Sequence, residues 1–204
     1  MSQSRKPKIS LILLAAGRSS RMNGAPKQLL VYEGKTLLRR AVETALDSNF
    51  ETIVVLSADG EIFSKEIEGL PVQTAINENA ETGISSSIKT GLSALSGKSS
   101  DSVIITLCDQ PLVSTEILQN LGGVFVQTGK PIVACEYEKT FGVPALFARR
   151  FFSELMNLRE DEGAKKIIKK YREQAEFIRC PEAETDIDTF DDYRKLVSQI
   201  PSIL

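Results

Sequence analysis

Short apolar runs alternate with helix-like patterns along the chain as far as residue 139. Strands are predicted where apolar residues run together, at residues 9–15, 52–56, 72–76, 102–107 and 132–135. Between them, apolar positions recur at helical spacing and predict helices at residues 36–47, 61–67, 85–95 and 115–126. Strands and helices that alternate at this spacing predict a doubly wound α/β fold with a mainly parallel sheet.

The rhythm changes after residue 140, where the predicted elements become shorter. Strands are predicted at 143–147 and 177–179, and helices at 149–158, 163–171 and 190–199. The chain has 204 residues and shows no internal repeat or linker. We therefore expect one domain, with residues 1–8 as a loose N-terminus.

Composition narrows the chemistry open to this chain. The net charge of −2 gives no general attraction to nucleic acid or an anionic membrane, and no apolar run approaches membrane-spanning length. The absence of histidine excludes a Ser-His-Asp triad, a Cys-His dyad and a histidine-ligated metal. A metal would therefore need oxygen ligands, as Mg²⁺ does. The three cysteines form no C-x-x-C pair, so we expect a reducing cytoplasm and no zinc site or disulfide framework.

The segment 9–30, ISLILLAAGRSSRMNGAPKQLL, has the order of residues that a triphosphate site needs. Its strand is followed by Ala16 and Gly17, whose small or absent side chains let peptide N–H groups approach phosphate oxygens. Arg18, Arg21 and Lys27 then supply charge-assisted hydrogen bonds to an anion.

Two other interpretations of this segment are weaker. A secretory signal would use the basic residues within 5–8 and a cleavage site at 14–16, but it leaves the basic loop without a role. A dinucleotide loop or a P-loop would need G-x-G-x-x-G or G-x-x-x-x-G-K-[ST], and the segment contains neither. The sequence therefore predicts a phosphate site of a different kind.

Three loops at the predicted carboxyl ends of strands carry unusual residues, at 17–27, 77–87 and 109–111. Ligands of doubly wound sheets bind beyond these ends, so the loops predict a single site. Asp109 can hold Mg²⁺ beside a triphosphate, although aspartate before Gln-Pro is also common in turns. Asp186 and Asp188 share one face of an extended segment and can complete the metal site, or one of them can cap the last helix.

Two further groups are candidates for ligand contacts. The serines at 85–87 follow Gly83 and offer hydroxyl and N–H groups to a base edge or a phosphate, or form an ordinary N-cap. Lys165 and Lys166 can meet an anionic acceptor, but a solvated helix face is the default for such a pair.

Together, these motifs resemble a known family. L-A-A-G-x-S-x-R-M at 14–22, followed by P-K-Q-L-L at 26–30, resembles the signature of small nucleotidyltransferases. The branch it resembles is the molybdenum cofactor cytidylyltransferases and their relatives. The matching segments then follow in the expected order at 83–87, 108–111, 142–147, 161–165 and 186–189.

The resemblance implies a Rossmann-like, three-layer nucleotidyltransferase fold, with a nucleotide-binding half at 9–139 and an acceptor half at 140–204. It implies transfer of CMP from CTP to a phosphorylated acceptor, molybdopterin in this branch, with release of pyrophosphate. Ala16 favours CTP, since the guanylyltransferase branch usually has a second glycine there. The implied Mg²⁺ ligands are Asp109 and Asp188, with Asp186 open as an alternative to the latter.

The expected site residues carry distinct roles. Catalysis is expected of Arg21, Lys27 and Asp109, because the two cations can stabilise the leaving pyrophosphate and the carboxylate can hold the metal. The expected nucleotide-binding residues are Leu14, Ala15, Ala16, Gly17, Arg18, Lys27, Gly83, Ser85, Ser86, Ser87 and Asp109.

The sequence departs from the family pattern at three places, one in the donor loop and two in the acceptor half. The loop at 21–27 is one residue longer than usual, valine replaces the family histidine at 143, and glutamate and lysine replace a glycine and an arginine at 160 and 165. The last two changes lie in the acceptor half. They leave the acceptor open, and sugar phosphates and methylerythritol phosphate are alternatives because related families share the first motif. Guanylyl transfer to molybdopterin is the alternative for the nucleotide.

Non-catalytic functions and partners complete the expectations. A nucleotide sensor or a chaperone that hands on a cofactor is an alternative, although the retained donor-side charges argue against it. An NAD-binding oxidoreductase lacks its glycine fingerprint. A molybdoenzyme that receives the cofactor is the expected protein partner, and the expected assembly is a monomer or a weak dimer.

Overall fold

The computed structural model describes residues 5–17, 19, 22, 25–58, 60–138 and 140–198. The strands are β1 (Ile9–Leu14), β2 (Val31–Tyr32), β3 (Lys35–Thr36), β4 (Glu51–Ser57), β5 (Gln73–Asn77), β6 (Ser102–Leu107), β7 (Ile132–Glu136), β8 (Phe141–Ala148) and β9 (Ala175–Arg179). The helices are α1 (Leu37–Asp47), α2 (Gly60–Glu66), α3 (Ile84–Ala94), α4 (Thr115–Thr128), α5 (Phe152–Met156), α6 (Lys165–Lys170) and α7 (Phe190–Ser198).

Seven strands form one sheet in the order β5–β4–β1–β6–β8–β7–β9. The pairs β1–β4, β1–β6, β4–β5 and β7–β9 are parallel. Within this sheet β8 runs antiparallel to both of its neighbours, β6 and β7. The predicted α/β fold with a mainly parallel sheet is confirmed.

Alternate residues of the central strands enter two separate apolar cores. In β1, Leu11 and Leu13 pack in the core that contains the buried side chains of α1 and α4. Ile12 and Leu14 pack in the other core, with α3, α5 and α6. Successive side chains of a strand point to opposite faces, so a strand buried on both faces needs helices on each.

The fold brings the ends of several strands to one edge of the sheet. Parallel pairing places the carboxyl ends of β1, β4, β5 and β6 at this edge, and the antiparallel strand β8 begins there. The segment after β9 also reaches it, since the Ile187 N–H donates to the Asp109 carbonyl over 2.9 Å. The three loops that the sequence singles out therefore meet with the segment that carries Asp186 and Asp188.

Several short elements differ from the sequence pattern. The pattern does not predict the β2–β3 hairpin, because two-residue strands are too short to show alternation. The predicted helix at 149–158 is a 3₁₀ turn followed by α5, and the one predicted at 163–171 is only α6. β9 begins two residues before the predicted strand at 177–179, where Glu176 interrupts the apolar run.

Polar side chains cap the first helix and hold the N-terminal segment. Thr36 caps α1 as predicted, since its Oγ1 accepts a 3.1 Å hydrogen bond from the Arg39 N–H. Asp101 accepts from the Lys8 N–H at 2.7 Å and from Arg5 Nη2 at 2.9 Å, which ties down the described part of the N-terminus. Among the described residues, no helix is long and apolar enough to cross a membrane.

Candidate functional site

A cleft of about 340 Å³ opens at the carboxyl ends of β1 and β6, beside the start of α3. Its walls combine the apolar end of β1 with small residues and with one lysine and three acidic side chains. The lining residues are Leu14, Ala15, Ala16, Gly17, Lys27, Gln28, Leu37, Ala80, Glu81, Gly83, Ile84, Ser87, Leu107, Cys108, Asp109 and Asp161.

Lys27 links the two halves of the site through two carboxylates. Its ammonium forms an ion pair and hydrogen bond with Asp109 Oδ2, and lies 3.3 Å from Asp188 Oδ1. The side chains of Lys27 and Asp109 are only 14% and 17% exposed, against 49% for Asp188. Burial alone would lower the pKa of Lys27, but the charges and hydrogen bonds of Asp109 and Asp188 outweigh it and raise that pKa. Lys27 is therefore a cation at neutral pH.

Asp109 retains one oxygen for a further ligand. Its Oδ1 is buried and has no hydrogen-bond partner within the described part of the chain. A buried carboxylate oxygen without a partner is costly, unless a cation or a donor reaches it. The described residues contain no group of three or more Cys, Asp or Glu side chains that could hold a metal ion alone. A divalent cation at Asp109 would thus need oxygens from a ligand, as Mg²⁺ commonly does with phosphates.

Gln28 fixes the loop that follows β1. Its side chain is buried, and Nε2 donates to the carbonyls of Ala15 at 2.9 Å and Gly17 at 2.6 Å. Ser19 Oγ adds an acceptor for the Lys27 N–H at 2.8 Å. With both carbonyls held by Gln28, the loop is tied to the turn that carries Lys27.

Gln110 holds the segment after β9, which carries Asp186 and Asp188. Its Nε2 donates to the Ala183 carbonyl at 2.8 Å and to the Val143 carbonyl at 3.3 Å. Asp186, on the same segment, lies near Asp109, and loss of hydration followed by the Asp109 charge raises the pKa of Asp186 to about 6. The placement of Asp186 near Asp109 therefore depends on the hydrogen bonds of Gln110, which join the loop after β6 to the segment after β9.

Gly83 allows a close contact over the start of α3. Its φ is +105°, and a Cβ there would lie 2.4 Å from the Glu160 backbone. The Ser85 N–H donates to the Glu160 carbonyl over 3.1 Å. This contact sets Asp161 in the cleft wall, where the sequence assigned no role to it.

The predicted nucleotide-binding residues divide into three groups. The cleft brings together Leu14, Ala15, Ala16, Gly17, Lys27, Gly83, Ser87 and Asp109. Ser85 and Ser86 lie instead on an adjacent open groove, with Lys89 and Glu160. Arg18 and Arg21 lie outside the described residues.

The sequence of residues 11–175 matches the profile of the MobA-like NTP transferase domain. The chain belongs to this family. This places it among nucleotidyltransferases, which agrees with a cleft that offers a small-residue loop, a partly buried lysine and carboxylates. The resemblance drawn from the sequence motifs is confirmed at the level of the family.

Relatives of the MobA-like domain carry different names. The purine catabolism protein PucB of Bacillus subtilis is 27% identical over 174 residues, which span 81% of this chain and 82% of PucB. Nicotine blue oxidoreductase of Paenarthrobacter nicotinovorans is 32% identical over 116 residues, 56% of each chain. This chain thus spans little more than half of the second relative.

The structure of Rv0371c from Mycobacterium tuberculosis superposes on most of this MobA-like domain. The TM-score is 0.84 with 28% identity, over 96% of this chain and 100% of that one. A second structure of the same protein is a complex with manganese, at TM-score 0.80 and 27% identity over 95% and 100%. A divalent metal is therefore found with this fold in a relative.

Besides Asp161, three residues at or beside the cleft were given no role by the sequence patterns. Gln28 and Gln110 stand inside the matching segments at 26–30 and 108–111, and their position next to Lys27 and Asp109 was the available signal. Asn77 ends an apolar strand, where a buried amide has no local signature. Its Nδ2 donates to the hydroxyls of Ser86 and Ser87 on α3, and only the folded structure brings this helix to it.

Proposed function

We propose that this protein transfers CMP from CTP to a phosphorylated acceptor, with molybdopterin as the first acceptor to test, and releases pyrophosphate. The observation that carries the proposal is the partly buried Lys27 cation, which lines a cleft with a small-residue loop and lies between the carboxylates of Asp109 and Asp188. Ala16 and the family resemblance support cytidine as the base. Membership of a nucleotidyltransferase family supports the reaction class.

The chemistry needs alignment and charge more than proton transfer. An oxygen of the acceptor phosphate attacks the α-phosphorus of CTP, a new P–O bond forms, and the bond from the α-phosphorus to the bridging oxygen breaks. The electron pair leaves with pyrophosphate. A phosphate is already an anion near neutral pH, so a chain without histidine can catalyse this step.

Lys27 and Arg21 are the proposed partners of the leaving pyrophosphate. The neighbouring carboxylates raise the pKa of Lys27, so its charge is present throughout the physiological range. A fixed cation that meets charge as it develops lowers the barrier without reorganisation. For the cation to reach a phosphate, its bonds to Asp109 and Asp188 must be exchanged for bonds to the nucleotide.

Asp109 and Asp188 are the proposed ligands of a divalent cation. The unpartnered Oδ1 of Asp109 fits such a role, and carboxylate oxygens are the ligands that Mg²⁺ and Mn²⁺ accept. When bound, the ion supplies charge neutralisation at the phosphates. Lys27 contacts both carboxylates, so a nucleotide phosphate that takes over its bonds leaves the carboxylates to the metal. We therefore expect the nucleotide and the metal to bind more tightly together than either does alone.

Calorimetry with CTP, GTP, ATP and UTP, each with Mg²⁺ or Mn²⁺, tests the nucleotide and the metal. CTP should bind most tightly, the binding should weaken with EDTA, and Asp109→Ala should abolish the effect of the metal. Asp47→Ala, which removes an exposed carboxylate at the end of α1, is the matched control. Release of pyrophosphate with molybdopterin then tests the acceptor. Tighter binding of another nucleotide would overturn the cytidine assignment, and no binding at all would overturn the proposal.

A further inference from the structure

The buried amide of Asn77, at the end of β5, determines in which direction the hydroxyl groups of Ser86 and Ser87 can donate. Asn77 is 2% exposed, and its side chain contacts the first turn of α3. Its Nδ2 lies 2.8 Å from Ser86 Oγ and 2.9 Å from Ser87 Oγ. Ser87 lines the cleft, while Ser86 does not.

The orientation of the Asn77 amide follows from a backbone contact. The Asn79 N–H lies 3.0 Å from Asn77 Oδ1, and a backbone N–H can only donate. The oxygen of the amide must therefore face residue 79, and the NH₂ group must face the serines. Both serine hydroxyls consequently accept from Asn77.

The two serines then differ in where their own hydrogens go. Ser86 Oγ donates to the Gly83 carbonyl over 2.7 Å, which completes its bonding within the protein. No acceptor for the Ser87 hydroxyl hydrogen occurs among the described residues. Ser87 is 6% exposed and faces the cleft, so this hydrogen is available to a ligand there.

We propose that Asn77 is a positioning residue that makes the Ser87 hydroxyl an obligatory hydrogen-bond donor to the nucleotide base. The inference rests on the proposed function, since it needs a nucleotide in the cleft. A fixed donor favours a base with an acceptor at the contact. The contact that this inference assigns to Ser87 is ring position 3, where cytosine N3 accepts and uracil N3 carries a hydrogen; O2 accepts in both bases and would give no preference.

Asn77→Asp inverts this polarity with almost no change in shape. The carboxylate still accepts from the Asn79 N–H, but it can only accept from the serines as well. The Ser87 hydroxyl must then donate to residue 77 and present lone pairs to the cleft. The preference for CTP over UTP should fall by about 3- to 10-fold, which is the scale of one hydrogen bond.

The experiment measures the dissociation constants of CTP and UTP for the wild type, Asn77→Asp, Ser87→Ala and the double variant. We expect both single variants to reduce the CTP/UTP ratio, and the double variant to reduce it no further than Ser87→Ala, because Asn77 acts only through Ser87. Ser93→Ala, an exposed serine on α3, and Asn120→Asp, an exposed amide on α4, should leave the ratio unchanged.

The outcomes separate this inference from the proposed function. If the wild type binds CTP and the ratio is unchanged in Asn77→Asp and Ser87→Ala, the inference fails and the proposed function stands. If the wild type binds no nucleoside triphosphate, both fail. A change in melting temperature without a change in the ratio would show that Asn77 is only structural, which also overturns the inference.

Discussion

Replacing Gln28 with leucine tests whether one buried amide holds the loop after β1. Leucine is close in size, so the change removes hydrogen bonds while it keeps most of the packing. The wild-type side chain donates to the carbonyls of Ala15 and Gly17 at 2.9 and 2.6 Å. Each bond contributes about 1 kcal/mol net, and a buried carbonyl left unpaired costs about 1–3 kcal/mol.

The two carbonyls differ in how they respond. Ala15 is 2% exposed, so its carbonyl loses its partner without gaining water, whereas the exposed Gly17 can be hydrated. The expected loss in free energy of unfolding is therefore about 2–4 kcal/mol. The loop would also lose its link to the turn that carries Lys27, so CTP affinity should fall as well.

Urea unfolding, monitored by circular dichroism, measures the free energy of unfolding. An unchanged slope of this free energy against urea concentration is the check for two-state behaviour. Gln127→Leu, on the exposed face of α4, is the matched control and should stay within about 0.5 kcal/mol of wild type. Gln28→Glu keeps the shape but replaces the donors with acceptors, and should be at least as destabilising as leucine near neutral pH. Wild-type stability and CTP affinity in Gln28→Leu would refute the reasoning, and wild-type stability in Gln28→Glu would show that packing, not donation, holds the loop.

Three further predictions concern the same site. Lys27→Ala should lower turnover by about 10²-fold or more, which is the scale for the loss of one electrostatic stabiliser. The control is Lys169→Ala, which removes an exposed lysine on α6 and should not lower turnover. Equal turnover in the two variants would remove Lys27 from the mechanism. Gly83→Ala should destabilise the fold by at least about 1–3 kcal/mol in urea unfolding, because its φ of +105° disfavours a side chain and its Cβ would meet the Glu160 backbone; an unchanged midpoint would contradict this. The pKa of Asp186 is raised to about 6, so the folded state holds this proton more tightly than the unfolded chain does, and the free energy of unfolding should fall as the pH rises from about 4 to 6. In chelator-containing buffer, Asp186→Asn should flatten this fall. Identical pH profiles for the wild type and Asp186→Asn would contradict the prediction.

The layered architecture was predictable because it depends on local patterns. Apolar runs such as those of β1, β4 and β6 are buried on both faces, and their alternation with helix patterns indicates a parallel sheet between helices. Parallel strands bring their carboxyl ends to one edge, so the meeting of the loops near Lys27 and Asp109 followed from the fold class. The direction of β8 was not predictable, since an antiparallel strand between β6 and β7 has the same apolar pattern as a parallel one.

The polar geometry of the site was not predictable for a different reason. The contact between Lys27 and Asp109 joins residues 82 positions apart, and that between Gln110 and the Ala183 carbonyl joins residues 73 apart. Two hydrogen-bonding groups so distant in sequence leave no periodicity or spacing that marks them as partners. Motifs therefore identified which residue types gather at the edge, and left open which atoms pair.

Asn77 shows why that distinction matters for specificity. From the sequence, three serines at a helix start offer equivalent hydroxyls that can donate or accept. In the fold, one buried amide with a fixed orientation turns Ser86 inward and leaves the Ser87 hydrogen to the cleft. Under the proposed binding mode, a residue that touches no substrate sets the polarity of one that does. If the CTP/UTP ratio responds to Asn77→Asp as expected, the base preference of this chain depends on the partner of a cleft-lining hydroxyl as well as on the hydroxyl itself.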